Sequence, residues 1–251
     1  MKIHLEKTTK ITNVDVWLKV APPKGGIAQW EDGHSAKELA KFVIENPKTF
    51  STLLEEIVES TIGYVPSSFT GEPEATTSLQ PQGSSGPREH DLLLCDKRIV
   101  IGIEAKVNEP FGNNKSILQE SKTTSADKPK YKRINWLMQT IIPGKNIDDK
   151  EIGGLKYQLF TATAGTLLEA ARRDKKECIF LVLAFHSKNE PVNESNKKSF
   201  EDFVRIICGE NNYSKEFTID YVDNKTEFKK TVKCWFIERD IAFTPQTFDI
   251  D

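Results

Sequence analysis

An α/β fold is what this 251-residue sequence predicts, on three observations. Two short, almost wholly apolar runs at 91–95 and 99–103 read as strands, and such runs fit strands covered on both faces. Amphipathic stretches of helical period surround them, most strongly at 155–173. Strands and helices then alternate through the second half, which favours one α/β domain with a core of about 35–210 and peripheral elements at 1–34 and 211–251. Apolar residues make up 37% and charged residues 29%, a balance that suits a packed core and excludes wholesale disorder.

The elements follow in order. Residues 14–20 read as a short strand or extended segment, ended by Pro22-Pro23 and Gly25-Gly26. Ser35 and Glu38 match a capping box, with Ser35 as N-cap of a helix whose stripe is Leu39, Ala40, Val43 and Ile44. Asn46-Pro47 ends it. A second helix over 48–62 carries Phe50, Leu53, Leu54, Ile57 and Val58 on one face, with Gly63 as its stop. Residues 66–87, rich in Ser, Thr, Gly and Pro, read as one long loop that approaches the site. The runs 91–95 and 99–107, joined by a tight turn at Asp96-Lys97, read as an antiparallel hairpin. One short helix is expected before Lys130, then helices at 131–142 and 155–173. A buried strand at 178–185, an amphipathic helix at 197–208 and a late strand at 230–237 complete the chain. The run Thr161, Ala162, Thr163, Ala164, Gly165 is small enough to let its helix pack closely on a sheet.

Several classes are excluded. No run approaches the roughly 18–20 apolar residues of a membrane span. Residues 1–12 mix charge with apolar character and lack a signal-peptide core, so the cytoplasm is the expected compartment and no membrane partner is expected. The four cysteines form no Cys-x-x-Cys pair, and Cys95, Cys178 and Cys234 sit in or beside apolar runs, as reduced thiols would. The formal charge of −2 rules out a globally basic nucleic-acid footprint, though a local basic face could still steer one.

The chemistry concentrates at Asp91 and the triplet Glu104-Ala105-Lys106. Positions 104 and 106 share a strand face because side chains alternate. The hairpin brings Asp91, at the head of the neighbouring strand, close to that face. Two carboxylates suit a hard cation such as Mg²⁺, which takes oxygen ligands and keeps several waters. An ammonium beside them can meet the charge of a phosphate. The plainer reading is a structural ion pair at a strand end.

The pattern Asp91…Glu104-Ala105-Lys106, on a hairpin after a helix, resembles the PD-(D/E)xK nuclease superfamily. The resemblance implies a mixed central β-sheet flanked by helices, restriction-endonuclease-like, and phosphodiester hydrolysis with Mg²⁺ or Mn²⁺. By position it makes Asp91 and Glu104 metal ligands, lends the Ala105 carbonyl, and casts Lys106 as the catalytic lysine. It implies a further glutamate on the preceding helix, for which Glu56 is preferred over Glu55 and Glu59. It also implies a polar residue from a following helix, for which Gln158 is preferred over Lys156 and Tyr157. The stretch 104–112 with Tyr157-Gln158-Leu159 resembles a poorly characterised bacterial branch. His90 stands where many members carry proline, and Tyr157 precedes Gln158 instead of following at the spacing of some branches.

The implied activity is cleavage of nucleic acid, DNA first, in bacterial defence or DNA processing. The alternatives are a non-catalytic nucleic-acid- or protein-binding module on the same fold, and a nuclease subunit active only in a complex. A homodimer or larger complex stays open. The segment Lys128, Lys130, Tyr131, Lys132 and Arg133 is the best candidate for gripping phosphates and stacking bases. Its plainer reading is solvated surface. His90 reads either as a support for Asp91 or as a loop histidine without a role.

Overall fold

A computed structural model describes residues 1–80, 86–107, 109–187, 194–223 and 226–243. Seven strands form one mixed sheet: β1 (Lys2–Leu5), β2 (Ser68–Thr77), β3 (Arg88–Cys95), β4 (Ile99–Lys106), β5 (Glu177–Ser187), then β7 (Thr226–Phe243) and, at the edge, β6 (Ser214–Asp223). The centre β2–β3–β4 is antiparallel, and β4, β5 and β7 run parallel. β1 joins β2 in parallel and β6 closes the far edge antiparallel to β7.

Helices cover both faces. α1 (Val14–Val20), α2 (Ser35–Glu45) and α3 (Pro47–Ile62) pack on one. α4 (Ile117–Lys122), α5 (Pro129–Ile141), α6 (Lys150–Gly153), α7 (Tyr157–Arg172) and α8 (Glu194–Cys208) pack on the other. β5 shows why its sequence reads as continuously apolar. Ile179, Leu181, Leu183 and Phe185 face the first layer, and Cys178, Phe180 and Val182 face the second. Edge-to-face ring contacts Phe160–Phe203, Phe203–Phe236 and Phe180–Phe236 tie α7, α8, β7 and β5 into that second core. All four cysteines are free, with Cys178 and Cys234 buried and Cys95 and Cys208 part-exposed.

Three expectations are corrected. Residues 14–20 form a helix, because the Asn13 side chain caps the Val16 N–H at 2.8 Å and Trp17 anchors the turn in the core. Ser35 is the first helical residue and His34 the N-cap, which has no side-chain bond. Glu38 reaches past it to the Gly33 N–H at 2.9 Å, so the expected capping box does not form. The long loop holds β2, whose buried residues Phe69, Gly71, Pro73, Ala75 and Thr77 alternate as a strand's should. The small size of Gly71, Pro73, Ala75 and Thr77 hides the period. Residues 81–85 of that expected loop lie outside the described residues. The sheet also takes β1, β6 and β7 from segments expected to be peripheral.

α7 lies against the sheet with Leu159 through Ala171 buried. The approach is close at Gly102 of β4, where a Cβ would stand 2.1 Å from Thr166 Oγ1. Glycine is therefore required there, and it lets α7 settle over β4 two residues from Glu104. No helix among the described residues is long and apolar enough to cross a membrane.

Candidate active site

β2 and β3 change their pleat at one point. Phe69, Leu92 and Leu94 belong to the α2–α3 core, whereas Ala75 and Leu79 belong to the α7 core. The ladder passes from Pro73↔Leu92 to Ala75↔His90, leaving Glu74 and Asp91 as the unbridged pair between. Glu74 takes a left-handed conformation there, with φ of 47°. Lys7 Nζ holds the bend by donating to the Pro73 and Glu74 carbonyls at 3.1 and 2.6 Å. The break turns both carboxyls into a cavity of about 570 Å³.

The floor of that cavity is the end of the β3–β4 hairpin. Asp91 Oδ2 accepts the Ala105 N–H at 2.7 Å. Glu104 and Lys106 are almost wholly buried, and Lys106 Nζ stands 2.8 Å from Glu104 Oε1. Gln158, in the first turn of α7, donates to the same Oε1 at 2.6 Å and accepts the Gly112 N–H at 2.6 Å. These two bonds set its amide orientation. Arg88 pairs with the other oxygen, Glu104 Oε2. Glu89, Glu109, His34 and Lys24 complete the charged and titratable lining, with Lys24 Nζ 3.3 Å from Glu89.

The electrostatics separate the carboxyls. Burial raises the cost of charging Glu104, but Arg88 and then Lys106 outweigh it and hold the group below its usual range. Burial, and then the Glu104 charge, push Asp91 up to about 7 against Lys106 and Arg88. Burial, then Asp91 and Glu89, push Glu74 up to about 9. Burial works against the Lys106 ammonium, yet Glu104 and Asp91 raise its pKa. Behind this layer, burial and Arg88 lower His90 to about 3, so it is a neutral ring, bonded at 3.1 Å to Thr77, whose hydroxyl donates to Glu169 at 2.9 Å. His90 is a core strand residue, so its reading as a loop histidine is corrected.

Asp91, Glu104, Ala105, Lys106 and Gln158 are thus linked to one another by these contacts. Glu56 is not. It lies on the exposed face of α3 and away from the cavity lining, while Glu55 pairs with the Met1 amino group and Glu59 faces solvent. The additional acid opposite Asp91 is Glu74, from β2. No sequence signal marked it, because its strand reads as loop. Arg88 was missed for the same reason, standing at the junction of that supposed loop with β3. Part of the basic segment is committed within the fold: Arg133 is buried and donates to the Gly86 carbonyl at 2.8 Å and Lys130 pairs with Glu120, whereas Lys128 stays exposed, 3.5 Å from Asp127. Tyr131 is half-buried and Lys132 exposed. Among the described residues no three His, Cys, Asp or Glu side chains group as a ready-made metal cage.

Fold and site together define an α/β protein with a buried acid–lysine cluster opening into a carboxyl-rich cavity at the end of a mixed sheet. The family described as Domain of unknown function (DUF6946) matches residues 10–236, and the chain belongs to that family. No curated protein and no solved structure matches it.

Proposed function

We propose that this protein is a metal-dependent nuclease that hydrolyses phosphodiester bonds, with DNA as the first substrate to test. The observation that carries the reading is the meeting of Asp91, Glu104 and Lys106 on one cavity wall, in the Asp…Glu-x-Lys order that resembles the PD-(D/E)xK superfamily. The donor set fits a hard cation. Asp91 and Glu104 offer carboxylate oxygens, and the cavity carries five carboxyl groups (Glu74, Glu89, Asp91, Glu104, Glu109) against the cations Lys24, Arg88 and Lys106. Mg²⁺ needs only one or two carboxylates, because it keeps waters and takes substrate oxygens.

Asp91, Glu104 and the Ala105 carbonyl would hold Mg²⁺ or Mn²⁺, which when bound supplies Lewis acidity to a phosphoryl oxygen and acidifies water. The remaining work belongs to the chain. The Ala105 N–H orients the Asp91 carboxylate. Gln158 holds Glu104 toward the cavity. Lys106, kept charged by its acidic neighbours, is placed to meet charge developing on a phosphate.

Cleavage of plasmid, linear duplex and single-stranded DNA and of RNA, with Mg²⁺ or Mn²⁺ and with EDTA, tests this. Metal-dependent cutting is expected, lowered at least about 100-fold by Glu104→Ala and by Lys106→Ala. A folded wild type that cuts none of these and binds neither metal overturns the reading. One observation favours a second reading, a non-catalytic nucleic-acid- or protein-binding module: both oxygens of Glu104 are already engaged by Arg88, Lys106 and Gln158.

A further inference from the structure

The same saturation of Glu104 points to a role for Arg88. Its guanidinium pairs with Glu104 Oε2, while Lys106 and Gln158 share Oε1, so Oε2 is capped by a single residue. The Arg88 side chain is 12% exposed and lines the cavity. Its Nε is buried without a hydrogen-bond partner among the described residues. One end of the guanidinium is thus well paired and the other is not. A buried donor left unmatched costs free energy, which weakens the hold of the present arrangement. Lys106 lacks this freedom, because it lies on the same strand as Glu104 and against the Phe111 ring.

We propose that Arg88 is a displaceable cap: it occupies the carboxylate oxygen a divalent cation takes, and once displaced its guanidinium receives the phosphate of the substrate. The inference rests on the nuclease reading and extends it to substrate positioning. A free guanidinium in this cavity seeks an anion, and its planar fork matches two phosphate oxygens. The cap keeps Glu104 charge-compensated in the metal-free protein. Its cost is that the cation must compete with an ion pair for one of its ligands.

Arg88→Met removes the competitor while keeping most of the side-chain length, and Arg88→Lys keeps the charge but loses the fork. Two quantities are read. The first is the affinity for Mn²⁺ alone, titrated calorimetrically on the full chain, with Asp91→Asn as the control that loses binding. The second is the KM for duplex DNA at saturating Mn²⁺. The cap predicts shifts of opposite sign in Arg88→Met: Mn²⁺ binds about tenfold tighter, equivalent to about 1.4 kcal/mol, while KM for DNA rises about tenfold. Arg88→Lys falls between. Damage to the fold would worsen both quantities, and thermal unfolding of each variant registers it separately. Unchanged or weaker Mn²⁺ binding in both variants overturns the cap even where the wild type cuts DNA. Absence of Mn²⁺ binding in wild type and variants overturns the cap and the nuclease reading together.

Discussion

At the residue scale, the site depends on how closely α7 can approach β4. Gly102 faces Thr166, and a methyl at 102 would meet Thr166 Oγ1 at 2.1 Å and His90 Nδ1 at 3.2 Å. The Thr166 hydroxyl donates only to its own helix, to the Ala162 carbonyl at 2.9 Å, so its loss costs little beyond a local bond. Gly102→Ala is expected to destabilise the protein by about 1–3 kcal/mol, the usual cost of overpacking a close-packed interior. Adding Thr166→Ala should recover much of that, since it removes the clashing oxygen. Urea unfolding of the two single variants and the double variant measures the coupling directly. Strict additivity would mean that the contact does not set the spacing. The consequence reaches the chemistry, because Gln158 stands two turns earlier on α7 and its bond to Glu104 depends on the same spacing.

At the element scale, legibility followed side-chain size and partnership. The hairpin β3–β4 and the strand β5 were readable because both of their faces are buried and their central runs, 92–94, 99–103 and 179–183, are Leu, Ile, Val or Phe at all positions but Gly102. β2 was not, since its inward positions are Gly71, Pro73, Ala75 and Thr77, and its alternation switches sides at Glu74. α1 was misread because Val14, Val16 and Leu18 alternate with polar or bulky neighbours in a strand-like way, and the Asn13 cap and the burial of Trp17 decide the matter. β7 holds another feature invisible in sequence. Glu238 is part-buried at the strand's far end, where burial and then Asp240 push it up to about 7, with Glu201 of α8 adding to the rise and Lys197 of α8 and His186 of β5 opposing it. An unfolded glutamate titrates near ~4.3, so the folded state binds the extra proton between these values. Stability from this group is therefore full below about pH 4.3, and is lost as pH rises to about 7. Glu238→Gln should raise stability by about 1–2 kcal/mol at pH 8 and leave it unchanged near pH 4. Chemical denaturation at the two pH values checks this. A gain of equal size at both would assign the effect to packing instead of ionisation.

At the scale of the whole molecule, the charges bear on the proposed reading: a nuclease with this charge distribution would meet nucleic acid through a cation instead of through a basic surface. The chain carries 35 Lys and Arg against 37 Asp and Glu, so no long-range attraction for a polyanion arises from net charge. The best basic run, 128–133, is partly drawn into the fold by Arg133 and Lys130. The cavity itself is lined by more carboxyls than cations. Burial keeps Glu74 neutral near pH 7 and Asp91 only part-charged, so the lining offers a phosphate no strong net attraction, and on the proposed reading a bound cation would supply it. This separates the nuclease reading from a binding module that works by charge alone, whose affinity would follow the salt dependence of counterion release and ignore Mg²⁺. Lys106→Ala, which retains both carboxylates, allows binding to be read without cutting. Its affinity for a short duplex, measured by fluorescence anisotropy at about 0.1 M salt, where charges beyond roughly 10 Å are screened, should be weak in EDTA. Mg²⁺ should strengthen it about tenfold or more, with most of the gain lost again in Asp91→Asn/Lys106→Ala. Equal binding in EDTA and Mg²⁺ would place the nucleic-acid contact elsewhere on the surface and leave the acid–lysine cluster as a structural ion pair.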